Sequence, residues 1–243
     1  MKFRLALAFL IVVSVPTANA VTPIKVIATT PTTTFSLGSN SSIVKSIYTS
    51  SGVVLIGTIG ETSNQKLVSG NGFGKTDGFI AKIAQNGGLI WSSRLGGSLE
   101  DIATSVIADS DNTFWVLGAS ESSVALTTAE TNVIVINPDS ITVSKETNRS
   151  LGLLTTNVWH ISASGELIGT IKYQSVTPIM PRDLATSPDG LVIVGDLMVT
   201  NGRVGQVLFC NLASTCNVIT KIGVRGTSLR GILRNLDGTY FLI

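Results

Sequence analysis

Few side chains in this sequence are placed to hold a phosphate, a metal or a covalent intermediate, and their surroundings argue against each use. Ser69-Gly70-Asn71-Gly72-Phe73-Gly74-Lys75-Thr76 misses a phosphate-cradling loop by one residue, with Ser69 where the first glycine belongs. Such a loop needs a helix after Gly-Lys-Thr, so that the first helical N–H groups face the phosphates. Here Asp77-Gly78 and then an apolar β-type run follow, which makes the segment a loop between hairpins. Asp109-Ser110-Asp111-Asn112 opens like a calcium loop, but Thr113 and Phe114 stand where Asp or Asn and then Gly are required. A hairpin turn is the expectation there. His160 is the only histidine, which excludes a multi-histidine metal site. A His-based triad needs a nucleophile and an orienting acid around the ring, and His160 instead lies in an alternating β-run, on one face of a strand.

Asp111, Asp189 and Asp237 occupy equivalent turn positions and read as turn formers. Asp101, Asp183 and Asp189 would make a site only if strand register brought them together in a central channel. Trp91, Trp115 and Trp159 read as packing aromatics rather than a sugar-stacking platform. The only cysteines, Cys210 and Cys216, flank a turn centred near Ala213, so a hairpin sets them opposite each other. In an oxidising compartment such a pair bridges. Asn40-Ser41-Ser42 and Asn148-Arg149-Ser150 fit the glycosylation pattern, which has meaning only in an organism that uses it. No catalytic, cofactor-binding or metal-binding residue is assigned.

The elements that must position these residues follow one recurring pattern: a β-run, a tight turn, a second β-run, then a glycine. It occurs at Ile43–Tyr48 with Ser51-Gly52 and Val53–Gly57, and at Ile102–Ala108 with Asp111-Asn112 and Phe114–Gly118. It returns at Asp183–Thr186 with Asp189-Gly190 and Leu191–Gly195, and at Leu229–Arg234 with Asp237-Gly238 and Thr239–Leu242. Turns of this kind need positive φ, which Gly adopts without steric cost. A second set of hairpins alternates with the first, turning at Asn86-Gly87-Gly88, Ser164-Gly165 and Ser214-Thr215. Two hairpins make a unit of four antiparallel strands, the sequence signature of a propeller blade. The predicted fold is therefore all-β: a β-propeller-type array of about three and a half four-stranded antiparallel blades, with a β-sandwich as the alternative.

First-hairpin turns fall at 52, 112, 190 and 238, giving steps of 60, 78 and 48 residues, where blades usually run about 40–50. The long step holds a Thr/Asn-rich insertion near 120–155, with its own β-like run Asn132–Ile136. The expected units are 43–95, 101–173, 182–223 and a truncated 228–243, preceded by a Thr/Ser/Pro-rich linker over 21–42 containing one strand-like run, Ile24–Ala28.

One copy of the pattern resembles a known family. Thr76-Asp77-Gly78-Phe79-Ile80-Ala81-Lys82-Ile83, Asn86-Gly87-Gly88-Leu89-Ile90-Trp91, Leu95-Gly96-Gly97-Ser98, Asp101-Ile102-Ala103, Ala108-Asp109-Ser110-Asp111-Asn112 and Phe114-Trp115-Val116-Leu117-Gly118 together are similar to the bacterial SBBP-type seven-bladed β-propeller repeat. The resemblance spans Gly74 to Ser120 and implies a propeller in an exported or surface protein; it carries no catalytic residues. Gly87-Gly88-Leu89-Ile90-Trp91 also resembles quinoprotein repeats, but only Trp91 fits and the other units lack it.

Composition and the N-terminus settle the compartment expected. Lys2 and Arg4 precede an apolar run, Leu5–Val15, broken by Pro16 and followed by Ala18-Asn19-Ala20, the three parts of a secretory signal. The run is shorter than the roughly 20 residues a membrane span needs, and later apolar runs are strand-sized. Charged residues make up 13% and the net charge is +2, against a usual charged share of about 25%. Clustered Lys and Arg for nucleic acid are missing, and 44% apolar residues suffice for a core. The expected role is a secreted or cell-surface binding or structural module, meeting a protein or glycan through blade-end loops. The alternative is an extracellular lyase or hydrolase with a central-channel site. A fourth unit ending in a strand at Ile243 predicts a longer protein whose further C-terminal blades complete the ring. Secreted material should begin at Val21 by N-terminal sequencing; a mature chain retaining Met1 would overturn export.

Overall fold

Alternation of apolar and polar residues at period two, interrupted by Gly, Asn and Asp, makes strands and tight turns. The computed structural model describes residues 37–243 apart from 39, 61–66, 69–71, 110, 126–132, 138–139, 145–147, 176, 201 and 214, with backbone alone between 122 and 152. The signal sequence, the Ile24–Ala28 run, the first three residues of the phosphate-loop-like segment and the side chains of Asn148 to Ser150 lie outside the described residues.

The described residues are all-β. A first sheet has the order β1 (Ser42–Thr49), β2 (Gly52–Gly60), β3 (Thr76–Ala84) and β4 (Leu89–Leu95). A second is built from β5 (Asp101–Ala108), β6 (Phe114–Ala125), β9 (Asn148–Ile161) and β10 (Leu167–Gln174), in the order β10-β9-β6-β5. Within its long insertion β7 (Val133–Asn137) pairs with β8 (Ser140–Ser144). A third sheet runs in order through β11 (Ile179–Ser187), β12 (Gly190–Val199), β13 (Gly202–Asn211) and β14 (Cys216–Ile222), and β15 (Ile232–Arg234) pairs with β16 (Tyr240–Leu242). All pairing inside these sheets is antiparallel. The expected insertion is narrower than 120–155, because β6 and β9 run into it and stay paired as far as Ala125↔Asn148. The third unit starts earlier than expected, at Ile179.

The turns divide into two kinds, and one expectation changes. At Ala84–Gly88, Asp109–Thr113, Ser162–Glu166 and Asn235–Thr239 the first residue's N–H bonds the carbonyl of the fifth, and the fourth N–H bonds back to the first carbonyl. The fourth residue takes positive φ each time: Gly87 at 84°, Asn112 at 64°, Gly165 at 91°, Gly238 at 85°. That is the tight hairpin loop closed by a left-handed residue. Ser51-Gly52 and Asp189-Gly190 are different. Pairing of Thr49 with Gly52 and of Ser187 with Gly190 makes Ser50-Ser51 and Pro188-Asp189 the loop residues, with the glycines already in the next strand. Gly190 is required by space rather than by φ: a Cβ there would lie 2.1 Å from the Cys210 carbonyl oxygen of the neighbouring strand.

Sheets bury their faces on one another. Val54, Ile56, Ile80 and Leu95 of the first sheet pack with Val106, Phe114, Val116, Trp159 and Ile161 of the second. The other face of the second gives Trp115, Leu117, Val158 and Ile171 to a cluster with Ile179, Leu184, Leu191, Ile193 and Leu208 of the third. Val192, Val194 and Val207 then receive Leu229 and Ile232. At about 1.5–3 kcal/mol for each fully buried Val, Leu, Ile or Phe side chain, these layers are the main favourable term.

Cys210 and Cys216 pair directly across β13 and β14, and their sulfurs are bonded at 2.08 Å with Cα atoms 4.0 Å apart. The bridge closes a short loop, so loop entropy limits its contribution to about 2–3 kcal/mol. Reduction, or the Cys210→Ala/Cys216→Ala pair, should lower the free energy of unfolding by that amount and no more, read from the shift in the denaturation midpoint. An unchanged midpoint under reductant would show that the bridge contributes nothing.

Candidate functional site

In each four-stranded sheet the opening strand contains one residue too many. Register slips between Ile43 and Lys45 in β1, Ala103 and Ser105 in β5, and Pro181 and Asp183 in β11. The fourth hairpin does the same: Arg230 and Gly231 both donate their N–H groups to the carbonyl of Ile243. Such a β-bulge bends its strand and re-aims the next side chain. Opposite the residue before each bulge sits the glycine that closes the sequence pattern: Gly57↔Ile43, Gly118↔Ala103 and Gly195↔Pro181. A Cβ on these glycines would meet the carbonyl oxygens of Ser42, Ile102 and Met180 at 1.8, 2.1 and 2.6 Å. The glycines are there because the bulge presses a carbonyl onto the partner strand.

The residues re-aimed are Lys45, Ser105 and Asp183, and they converge. Lys45 Nζ donates to Ser105 Oγ at 2.7 Å and to Asp183 Oδ1 at 2.9 Å, while Ser105 Oγ donates to Asp183 Oδ1 at 2.5 Å. Asp183 Oδ2 accepts the Ile232 N–H at 3.3 Å, drawing in the fourth hairpin. Ser105 is buried, whereas the Lys45 and Asp183 side chains are partly exposed. A serine beside a lysine has the components of a nucleophile and base. Here the ammonium is shared between a carboxylate and the serine oxygen, and the serine proton is directed at the carboxylate. The arrangement is an ion pair with a hydroxyl bridge that ties three sheets together, and it offers no free base.

The acids proposed from sequence separate. Asp183 enters this cluster; Asp101 and Asp189 do not. Asp189 remains in its loop, and Asp111 and Asp237 close turns by accepting from Thr113 and Thr239. Those hydrogen bonds hold the Asp111 and Asp237 carboxyls below the usual range. His160 stacks on Trp115, with ring centroids 3.7 Å apart, and its Nε2 lies 2.9 Å from Thr113 Oγ1. Because Thr113 Oγ1 donates to Asp111 at 2.6 Å, the imidazole supplies the N–H. Burial lowers the His160 pKa, partly opposed by Asp111 and Asp109. The same Asp-x-Thr closure recurs at Asp237 and Thr239 with Asn235 in the place of the imidazole, which marks it as turn architecture. Lys75, from the phosphate-loop-like segment, pairs with Glu121 at 3.1 Å, and a strand, not a helix, follows it.

A concave region lies on the second sheet, beside the linker that joins it to the first. It is an open groove of about 640 Å³, bounded by Gly96–Leu99 on one side and by Asn157, Trp159, Thr170 and Lys172 on the other. Asp101 sits at its floor, almost wholly buried. Gly97 N–H donates to Asp101 Oδ2 at 2.7 Å, Ser120 Oγ donates to Oδ1, and Asn157 Nδ2 donates to the Ser120 hydroxyl. Burial raises the Asp101 pKa, the Ser120 and Gly97 hydrogen bonds pull it back, and the nearby Asp77 charge raises it again.

Sequence reasoning missed four side chains here. Lys45 and Ser105 had a legible signal: each lies seven residues before position 52 or 112, as Asp183 lies before 190 and Gly231 before 238. Asp77 and Asp196, both wholly buried, are acids set into strands. Asp77 takes Arg94 at 2.8 Å, and Asp196 takes Arg182 at 2.9 Å together with Ser228 Oγ and the Leu229 N–H. Among the described residues no group of three or more His, Cys, Asp or Glu is placed to hold a metal ion.

A carboxyl whose folded pKa is raised stabilises the fold fully below its unfolded value, 3.8, and loses that contribution as pH rises through the folded value. Stability of the wild type relative to Asp101→Asn should therefore fall as pH rises above 3.8, the unfolded value. Parallel urea titrations measure it; a difference that is flat or rises with pH would refute the assignment.

Comparison with known proteins brings no relative to this site: no family model matches the chain, and no curated protein matches it.

Proposed function

We propose that this chain is an exported β-propeller-type repeat module with a binding or structural role in a secreted or cell-surface protein. The observation that carries the reading is the meeting of Lys45, Ser105 and Asp183. Three sheets that follow one another in sequence contribute the same position of their opening strands to one point. Blades around a common axis do this with their innermost strands, whereas a two-layer sandwich has no reason to bring strands from three sheets to one place. The resemblance of Gly74–Ser120 to the SBBP-type repeat supports the same reading; the matched segment supplies β3 and β4 of one sheet and β5 and the start of β6 of the next. Ala18-Asn19-Ala20 behind an apolar run, and the Cys210–Cys216 bond, support a compartment outside the cytoplasm.

Binding is favoured over catalysis because the axial acid is neutralised by Lys45 and bridged by Ser105. The enzyme reading keeps one observation in its favour: Asp101 and Glu121 line the same groove. Both carboxyls are committed, Asp101 to Gly97 and Ser120 and Glu121 to Lys75 and the Glu100 N–H, which serves positioning rather than proton transfer.

A double-mutant cycle tests the axis. Lys45→Met and Asp183→Asn, singly and together, should show a coupling of about 0.5–3 kcal/mol across 138 residues of sequence. Strict additivity would separate β1 from β11 and remove the common axis.

A further inference from the structure

The groove beside the linker into the second sheet is a feature that the Lys45–Ser105–Asp183 cluster leaves unused. Antiparallel register sets Thr155, Asn157 and Trp159 of β9 opposite Gln174, Lys172 and Thr170 of β10, all on the face turned toward the first sheet. Ser98 and the Gly96-Gly97 backbone form the facing wall. Beside this region Trp91 of β4 covers Gly165 and donates its indole N–H to the Ala163 carbonyl at 3.0 Å.

We propose that this groove binds a short, neutral oligosaccharide. Ser98 and Thr170 bring hydroxyls to it, and Thr155 and Gln174, bonded to each other at 2.7 Å, bring a hydroxyl and a carboxamide; such groups pair with sugar hydroxyls because both sides donate and accept. The polar floor is fixed in advance by the chain from Asn157 through Ser120 to Asp101, so little order is lost on binding. Charge within the groove is balanced. Glu121 is paired with Lys75, and Lys172 at the rim is near enough to Asp101 to influence its carboxyl. That suits neither a polyanion nor a polycation. Apolar lining is confined to Leu99, Trp159 and Leu167, of which Leu167 is exposed and Trp159 almost wholly buried. The volume lies within the range of small-ligand sites, about 300–1,000 Å³.

A saccharide here presupposes the binding-module reading, and the test separates the two. The full-length protein is titrated by calorimetry with cellotetraose, chitotetraose and maltotetraose, and in a separate arm with an extended Ser/Thr-rich peptide that would pair along the free edge of β10. At least one oligosaccharide should bind, and Thr170→Ala/Gln174→Ala should weaken it tenfold or more while leaving the melting temperature unchanged. Both side chains lie on the edge strand β10, outside the apolar clusters. Should that pair fail to fold, Ser98→Ala takes its place, with the same loss expected. Binding that neither variant alters, or no binding of any of the three sugars, overturns the proposal. Peptide binding without sugar binding overturns it too, while leaving the module a binding protein.

Discussion

One extra residue in the opening strand of each sheet is the constraint on which the rest of this molecule depends. A strand that keeps perfect register turns alternate side chains to its two faces, and none is aimed along the edge. Inserting Val44, Thr104 and Arg182 breaks that rule at the same point three times. The backbone bends, the following side chain swings toward the neighbouring sheets, and a carbonyl is pushed against the next strand. Only glycine tolerates that carbonyl at positions 57, 118 and 195. The bulge, the glycine and the re-aimed polar residue are therefore one device.

What the device positions is polar, and in each sheet it stands next to apolar layers. Lys45, Ser105 and Asp183 satisfy one another across sheets whose faces are otherwise joined by Val, Ile, Leu and aromatic packing. Apolar burial supplies the stability but little orientation, because area is non-directional. A charged contact of fixed length supplies the missing orientation. The buried acids Asp77, Asp101 and Asp196 extend the principle outward. Asp101 holds the linker into the second sheet by Gly97, and Asp196 holds the linker into the fourth hairpin by Ser228 and Leu229. Sheets that could slide are thus pinned where their opening strands meet and at their connections.

The groove is a by-product of the same arrangement. Gly118 lies beneath the Trp159 ring, where a Cβ would come within 2.4 Å of the indole, so the bulge-facing glycine also seats the aromatic at the groove's edge. Position 165 has a matching relation to Trp91, where a Cβ would lie 2.6 Å from the ring. Two glycines that the repeat needs for backbone reasons therefore decide where two of the three tryptophans rest.

The sequence by itself determined the strands, their hairpin pairing and their grouping in fours, because period-two patterning and Gly, Asn or Asp at turns are local signals. It also set Cys210 against Cys216, since the two flank one turn and pairing within a hairpin depends only on residues close in the chain. Where turn chemistry was ambiguous it misled: Gly52 and Gly190 looked like loop residues, but each lies in a strand where a carbonyl of the next strand leaves no room for a Cβ. Tertiary structure alone decided which acids meet. Asp101 and Asp183 are equally plausible on paper, yet Asp183 lies after a bulge and Asp101 at a strand's start, and that difference sends Asp183 to Lys45 and Ser105 and Asp101 beneath a groove. The partnership of Lys45 with Asp183 spans 138 residues and arises only when sheets stack, since no local rule relates positions on separate sheets.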